Sequence, residues 1–337
     1  MAWFDEVLDR LACGRVAVLG DLALDAYWVL DAEHQERSIE TGLPVQRVAS
    51  QRYSPGGAAN VIANLVDLGV TDVHASGLVG EDLFGRELRR MLADRGAKVD
   101  GVLSGGDSWQ TLVFAKPHLD EVEQSRLDFG SRNVRSADAG ARILAEVDRL
   151  APRVDAFVLN QQVAGGVIDE SLVASINESI LRHPDCVFVV DSRDLAESFR
   201  MAVIKINAQE AGRWLGGAAA DDQPMAIDQV RDMAAEIQRR TQRPVFLSHG
   251  AAGIVVADAG STEVVPGIEV PQPTDPVGAG DAVTATLAAV LGAGGDCLTA
   301  ARLANLAAAV TVAKLGITGT ASPDEIRALA ERQPERD

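Results

Sequence analysis

The sequence predicts an α/β protein with a doubly wound, mostly parallel sheet and helices on both of its faces. Short apolar runs alternate with helical patterns through most of the 337 residues, as expected when crossover helices join parallel strands. Residues 22–54 and 108–128 interrupt this pattern with short runs of alternating polarity, which predict a small, separate β layer. No internal repeat or low-complexity linker divides the chain, so residues 1–337 are expected to form a single domain.

The predicted elements follow one another from the start of the chain. Residues 15–20, RVAVLG, are apolar after the first position and predict a buried strand. Apolar residues recur at helical spacing over residues 61–68, and this pattern stops at Gly69. A strand over residues 72–80 and a helix over residues 85–96 come next. The alternation continues with the apolar runs DAFVLN, CVFVVD, AVIKIN, PVFLSHG and AGIVVAD.

Composition and charge exclude several classes of protein. The formal net charge of −18 repels phosphate backbones and anionic lipid, so neither a nucleic-acid nor a membrane partner is expected. No apolar window reaches the roughly 18 residues that span a bilayer, and the first residues lack the order of a signal peptide, which predicts a cytoplasmic protein. Cys13, Cys186 and Cys297 are far apart without a CxxC pair, which predicts neither a disulfide framework nor a zinc site.

The run DPVGAGD, from Asp275 to Asp281, precedes an alanine-rich stretch with helical character. A helix N-terminus offers unpaired N–H groups to an anion, and Gly278 and Gly280 allow a ligand to approach the backbone closely. The carboxylate of Asp281 would compete with such an anion. This conflict disappears if Asp281 is a general base that takes a proton from an attacking hydroxyl while the amides stabilise a transferred phosphoryl group. The structural alternative is a carboxylate that merely caps the helix.

Three further motifs decide between these interpretations. The runs PGGAAN, GEDLFG, NAQE and DPVGAGD occur in this order, and with them the chain from Val16 to Pro323 resembles the ribokinase-type (PfkB) family of carbohydrate kinases. The resemblance implies a ribokinase-like fold and the phosphorylation of a sugar hydroxyl by ATP with Mg²⁺, without a covalent enzyme intermediate. In that family the glycine loop forms an anion hole. By resemblance, Asp281 is the general base, and the amides of Gly278, Ala279, Gly280 and Asp281 form this hole, while Asp275 shapes the loop.

The resemblance also assigns residues to the nucleotide. Asn207 and Glu210, in INAQE, would orient hydrated Mg²⁺ and the triphosphate, as suits a cation that keeps several of its waters. Asn305 lies in the helical segment that commonly borders the adenine, although a packing role is equally open. His249 could contact phosphate or be structural, and Ala251 stands where the family often has Glu. Ser248, Gly250 and Gly253 would contact phosphate or ribose.

On the sugar side, a carboxylate and an amide near a glycine turn suit a ligand with many hydroxyls. The resemblance assigns this role to Asp25 with Gly56, Gly57 and Asn60, and the amide of Gln161 is a further candidate. Asp21 either joins them or caps a turn.

Within the family the chain is most similar to the kinases of D-glycero-D-manno-heptose 7-phosphate, through GDLALDAYW, ERSIETGLPVQRV, SPGGAANV and SRLDFG. It departs from them at LNQQVAGG, where Gln161, Gln162 and Ala164 replace an acidic residue, a tyrosine and a lysine. The substrate therefore stays open among heptose phosphate, another sugar phosphate, a neutral hexose or pentose, and a nucleoside. A sensor without catalysis is a further alternative.

Two expectations concern the β layer and the substrate charge. The β layer could be a lid that excludes water, the contact of a homodimer, or both. A sugar phosphate entering this acidic chain needs a cation near its far phosphate, for which Arg193, Arg126 and Lys116 are candidates.

Overall fold

The computed structural model describes residues 3–33, 36–120, 122–217 and 225–332. The helices are α1 (Trp3–Leu11), α2 (Ala58–Asp67), α3 (Leu83–Asp94), α4 (Ala137–Leu150), α5 (Glu170–Arg182), α6 (Ala208–Trp214), α7 (Ile227–Thr241), α8 (Ala279–Gly292), α9 (Cys297–Val312) and α10 (Pro323–Ala330). The first strands are β1 (Arg15–Gly20), β2 (Leu22–Leu30), β3 (Glu36–Arg37), β4 (Pro44–Val45), β5 (Val48–Gly57), β6 (Asp72–Val79), β7 (Lys98–Ser104) and β8 (Leu112–Leu119). They are followed by β9 (Val122–Glu123), β10 (Leu127–Phe129), β11 (Ala156–Gln161), β12 (Val187–Ser192), β13 (Val203–Asn207), β14 (Val245–Ser248), β15 (Gly253–Asp258) and β16 (Ser261–Pro266).

The main sheet has nine strands in the order β16-β15-β14-β13-β12-β11-β1-β6-β7. Every pairing from β14 to β7 is parallel, and only β15 and β16 are antiparallel additions at one edge. The apolar run at residues 15–20 forms the strand between β11 and β6, where both faces are covered. The predicted mostly parallel sheet is confirmed.

Helices cover both faces of this sheet, as predicted. Val16 and Val18 point into one core cluster, which also contains residues of α1, α2, α3, α8, α9 and α10. Ala17 and Leu19 point into the other, which contains residues of α4 to α7. Successive side chains of a strand face opposite sides of the sheet, so one buried strand supplies both cores. No helix within the described residues has the length and apolar character needed to cross a bilayer.

The β layer is a separate sheet in the order β10-β8-β2-β5, with β9 paired to β8. Strand β2 follows β1 after the single residue Asp21, and β5 leads directly into α2 at Ala58. The β layer therefore leaves the main sheet and returns to it at the C-terminal end of β1. Its strand β5 extends beyond the predicted segment because Gly56 and Gly57 continue the ladder with Ala23 and Leu22.

Candidate active site

The glycine loop ends at the start of α8. Gly278 is the N-cap residue with φ 84°, a conformation that favours glycine, and a Cβ atom here would lie 2.9 Å from Asn60 Nδ2. The Ala279 amide donates to the Pro276 carbonyl at 3.2 Å and is therefore occupied by the turn. Within the described part of the chain, the amides of Gly278, Gly280 and Asp281 have no such acceptor. Three of the four predicted donors are free to bind an anion.

Asp281 lies in the first turn of α8, near the positive end of the helix dipole, and faces α2. Asn60 Nδ2 donates to Asp281 Oδ2 at 2.7 Å, and Asn64 Nδ2 holds the Asn60 carbonyl at 2.9 Å. Burial raises the pKa of Asp281 to about 7, and the nearby charges of Asp191 and Asp25 act in the same direction. The Asn60 hydrogen bond and the charge of Lys205 oppose this rise. A carboxylate with this pKa can accept a proton near neutral pH and release it again.

A buried ion pair lies beneath the loop. Lys205 Nζ is 3.0 Å from Asp191 Oδ2, and both side chains are buried. Thr284 Oγ1, on α8, donates to the same carboxylate oxygen at 2.5 Å. A Cβ atom at Gly280 would lie 3.4 Å from Lys205 Nζ, so the ammonium group faces the loop. Burial lowers the pKa of Lys205, but the attraction of Asp191, Glu210 and Asp281 outweighs it and the net pKa is raised.

The sequence reasoning missed this ion pair. Its signal was a charged residue inside each of two strands that are otherwise apolar, β12 and β13. Adjacent registers place Asn160, Asp191 and Lys205 side by side across β11, β12 and β13. The fully buried amide of Asn160 has no hydrogen-bond partner among the described residues. A polar row therefore crosses the sheet below α8.

Asn207 and Glu210 form a capping box at the start of α6. Asn207 Oδ1 accepts from the Glu210 amide, and Glu210 Oε2 accepts from the Asn207 amide, each at 2.8 Å. Burial raises the pKa of Glu210. Its second oxygen has no hydrogen-bond partner in the described ranges, and Glu210 is among the residues that line a cavity. No cluster of three metal-binding side chains occurs in those ranges. One half-buried carboxylate fits Mg²⁺ held mainly through water.

The other residues that the sequence predicts to contact the nucleotide follow the capping box in the chain. Asn207 and Ser248 are register partners on β13 and β14, which brings these two residues together. His249 Nε2 lies 2.8 Å from the Met225 carbonyl oxygen, a contact that suits the structural alternative. Asn305 Nδ2 donates to the carbonyls of Val265 and Pro266 at 3.0 Å.

Two glycines complete this region. Gly250 is exposed, with φ 54°. A Cβ atom at Gly253 would lie 2.2 Å from the Val265 carbonyl oxygen, so this glycine and Asn305 both fix the β15–β16 hairpin.

Asp25, Gly56 and Asn60 approach Asp281 from the β layer and α2. Lys116 Nζ is 3.2 Å from Asp25 Oδ1, and Thr318 Oγ1 donates to Asp25 Oδ2 at 2.7 Å. A Cβ atom at Gly56 would lie 3.1 Å from Asp25 Cγ, so the missing side chain leaves room for this carboxylate. Asp25 also acts on the pKa of Asp281. The two carboxylates therefore share one electrostatic environment.

Gly57 links this region to β1. Its φ is 54°, and a Cβ atom here would lie 2.7 Å from the Asp21 carbonyl oxygen. The buried carboxylate of Asp21 accepts from the amides of Gln162, Val163 and Val167 at 2.7, 3.0 and 2.7 Å. Asp21 therefore holds the turn after β11.

Gln161 is buried and fully hydrogen-bonded. Its Oε1 accepts from Ser192 Oγ at 2.7 Å and from the Asp194 amide at 3.1 Å. Its Nε2 donates to the Val163 carbonyl at 3.0 Å and to Asp194 Oδ2 at 3.3 Å. The predicted sugar contact would require this side chain to exchange its present partners.

The three cations predicted for a far phosphate have different surroundings. Lys116 is committed to Asp25, and Arg126 pairs with Asp128 at 2.6 Å above the ring of Phe114. Arg193 is exposed and has no ion pair in the described residues. It lines a cavity of about 230 Å³. The lining residues are Ser192, Arg193, Asp194, Ala196, Glu197, Ile206, Glu210, Arg213 and Trp214.

Solved structures of sugar kinases share this fold. Arabidopsis thaliana ribokinase complexed with ribose and ATP aligns over 95% of this chain and 99% of that chain, with a TM-score of 0.72 and 19% identity. Escherichia coli phosphofructokinase-2 in complex with potassium aligns over 94% and 98%, with a TM-score of 0.77 and 18% identity. Identities this low establish the fold alone.

Sequence relatives narrow the family. A D-beta-D-heptose 7-phosphate kinase of Bordetella bronchiseptica is 33% identical over 91% of this chain and 94% of its own length. The bifunctional protein HldE of Hydrogenovibrio crunogenus is 30% identical over 93% of this chain, which spans only 62% of that relative. Residues 15–324 match the model of the pfkB family carbohydrate kinases. The chain therefore belongs to the pfkB family of carbohydrate kinases.

Proposed function

We propose that the protein transfers the terminal phosphoryl group of ATP to a sugar hydroxyl, with Asp281 as general base. The observation that carries this proposal is the position of Asp281. Its carboxylate has a pKa of about 7 and lies on the helix turn that follows the free amides of Gly278 and Gly280. A proton acceptor and an anion hole are two of the groups that support in-line phosphoryl transfer.

Residues of this chain can be assigned to each step of the phosphoryl transfer. Asp281 accepts the proton of the attacking hydroxyl, and Asn60 orients the carboxylate through its hydrogen bond. The amides of Gly278, Gly280 and Asp281 stabilise the charge on the phosphoryl group as it moves, and Lys205 adds a positive charge beneath them. Mg²⁺, oriented by Asn207 and Glu210 through water, would neutralise part of the triphosphate charge. Ser248, Gly250 and Gly253 would contact the nucleotide.

A heptose 7-phosphate is the substrate that the relatives favour. The relative that aligns along nearly its whole length is a D-beta-D-heptose 7-phosphate kinase. A neutral sugar is the second candidate, because Lys116 and Arg126 are already paired with Asp25 and Asp128. Neutral hydroxyls would then bind Asp25, Gly56, Gly57 and Asn60.

A kinetic panel separates these substrates. Purified protein with ATP and Mg²⁺ would be assayed with heptose 7-phosphate, fructose 6-phosphate, fructose, ribose and adenosine. We expect the highest kcat/KM for heptose 7-phosphate. A preference for a neutral sugar would replace the heptose assignment, and transfer to none of these acceptors would contradict the proposed sugar-kinase function.

We also propose that the β layer covers the sugar and joins two copies of the chain. It carries the paired side chains of Asp25 and Lys116, and Thr318 from the main body donates to Asp25, as expected for a lid. Its strand β5 is an edge strand, and large apolar side chains are exposed in the β layer, on β9 and β10 as well as near β5. Pairing of such edges and patches in a twofold dimer would bury them. The exposed residues are Val29, Ile39, Leu43, Val45, Val48, Val122, Leu127 and Phe129.

A further inference from the structure

Among the described residues, Arg193 is a cation without a carboxylate partner at the C-terminal edge of the main sheet. This position is unusual in a chain with a net charge of −18, where the neighbouring Lys205 is buried and committed to Asp191. Arg193 is exposed, and the described residues offer its guanidinium neither a hydrogen bond nor an ion pair. A guanidinium group keeps its charge and presents several donors in a plane, which suits a phosphate.

The turn that carries Arg193 is held rigidly. The Arg193 amide donates to the Gln161 carbonyl at 3.0 Å, and the Gln161 side chain binds Ser192 and Asp194 on either side. Ser192 Oγ then accepts from the Leu195 amide at 2.9 Å. Three of the four side-chain hydrogen bonds of Gln161 go to this turn and the fourth goes to the Val163 carbonyl, so the backbone at Arg193 is placed before any ligand arrives.

The cavity beside Arg193 contains Glu210. Burial raises the pKa of Asp21 and of Glu210, and the positive charge of Arg193 opposes that rise at both carboxylates. Arg193 and Glu210 therefore line the same cavity, and the charge of Arg193 acts on Asp21 and on Glu210. Lys205 acts on Glu210 and on Asp281, which connects the cavity to the base. Arg213 on α6 is a second arginine in the cavity without a partner in the described ranges.

We propose that Arg193 reaches from the edge of this cavity to the terminal phosphate of ATP at the glycine loop and that Gln161 is its positioning residue. This inference rests on the proposed kinase function. The guanidinium donates hydrogen bonds to phosphoryl oxygens and keeps all of its protons, while the phosphoryl group leaves ADP and forms a bond to the sugar oxygen. Lys205 Nζ lies beneath Gly280 and supplies a second positive charge at the loop.

ATP has a terminal phosphate that ADP lacks. A comparison of nucleotide binding therefore tests the contact between Arg193 and this phosphate without turnover. Isothermal titration calorimetry would compare the Mg²⁺ complexes of ADP and of AMP-PNP, an ATP analogue that resists hydrolysis. Arg193→Met should weaken AMP-PNP binding by about 10- to 100-fold, the loss expected for hydrogen bonds to a charged group, with little effect on ADP. Arg200→Met is the control, because Arg200 is exposed at the end of the same segment and outside the cavity. Equal losses for both ligands, or no loss, would overturn the proposal.

Gln161 requires a separate test because it is buried. Gln161→Leu keeps the approximate volume and removes the hydrogen bonds that fix the turn. If Gln161 acts through Arg193, the double variant should bind AMP-PNP no more weakly than Arg193→Met alone. Additive losses would contradict the positioning role. If Gln161→Leu fails to fold, Ser192→Ala, which removes the hydroxyl that joins the Gln161 side chain to the Leu195 amide, provides the same comparison.

The outcomes separate this inference from the proposed function. In one case, the wild-type protein phosphorylates a sugar, and Arg193→Met has the same AMP-PNP affinity and kcat/KM as Arg200→Met. This result is consistent with the proposed function and contradicts the inference. In the opposite case, the wild-type protein phosphorylates no sugar, but Arg193→Met selectively weakens the binding of AMP-PNP. This result contradicts the function and supports the phosphate contact.

Discussion

At the scale of single residues, the pKa of Asp281 sets the pH dependence. The carboxylate is the active form of a base, and its pKa of about 7 means that it is largely protonated below that pH. We expect kcat/KM to rise with pH through a midpoint near 7. Removal of the Asn60 hydrogen bond in Asn60→Ala takes away an interaction that favours the charged form, so the midpoint should move up by about one unit.

The pH profile of kcat/KM for the sugar tests this, with Asn177→Ala as a matched control on the distant helix α5. Because Asn60 is also a predicted sugar contact, KM will change in the variant. The midpoint is therefore the informative quantity. An unchanged midpoint in Asn60→Ala would show that Asn60 does not tune the base.

The sequence predicted the residues that a local motif carries and missed those that depend on neighbouring strands. Asp281 and its glycine loop are contiguous in the chain, so their relation was visible. Lys205 became significant only when β12 placed Asp191 beside it. The side chain of Gln161 was predicted to be available to a sugar, but the structure shows it bonded to the turn after β12. Contacts between strands cannot be obtained from local spacing.

At the scale of elements, α6 tests whether Glu210 has a second role besides capping. Glu210→Gln keeps an oxygen that can accept from the Asn207 amide, but it removes the charge that would attract the metal. We expect thermal stability close to wild type and an apparent Mg²⁺ requirement raised about 10- to 100-fold. Glu210→Ala loses both properties and should also unfold at a lower temperature, since a lost cap costs about 1 kcal/mol.

Thermal unfolding and Mg²⁺ titrations of activity distinguish the two variants. If wild type and Glu210→Gln depend equally on Mg²⁺, Glu210 caps the helix but does not help to bind the metal.

The buried elements were predictable and the edges of the sheet were not. The strand at residues 15–20 has its predicted bounds, because a run covered on both faces must be apolar throughout. Strands β7 and β16 lie at the two edges and have mixed exposure, so their sequences resemble loops. The β layer was predicted as a separate unit because half-exposed strands alternate in polarity.

At the scale of the whole molecule, the β layer predicts the oligomeric state. Ile39 is 97% exposed and Val48 is 48% exposed, although both are apolar. We expect a dimer by size-exclusion chromatography with light scattering, and a monomer for the double variant Ile39→Asp, Val48→Asp, because buried charges disfavour the interface.

Leu181→Asp provides the control, since Leu181 is 62% exposed on α5, far from the β layer in sequence. This variant should behave as wild type. A wild-type monomer, or a double variant that remains dimeric, would contradict the proposed contact.

The measurement that tests the central claim most directly is transfer of labelled phosphoryl from [γ-³²P]ATP to the preferred sugar by wild type and Asp281→Asn. The variant keeps the side-chain shape and removes the base. We predict that nucleotide affinity is retained and that the rate of label transfer falls by about 10²- to 10⁴-fold. Transfer at the wild-type rate by Asp281→Asn would contradict the account, because the proton of the sugar hydroxyl would then have another acceptor.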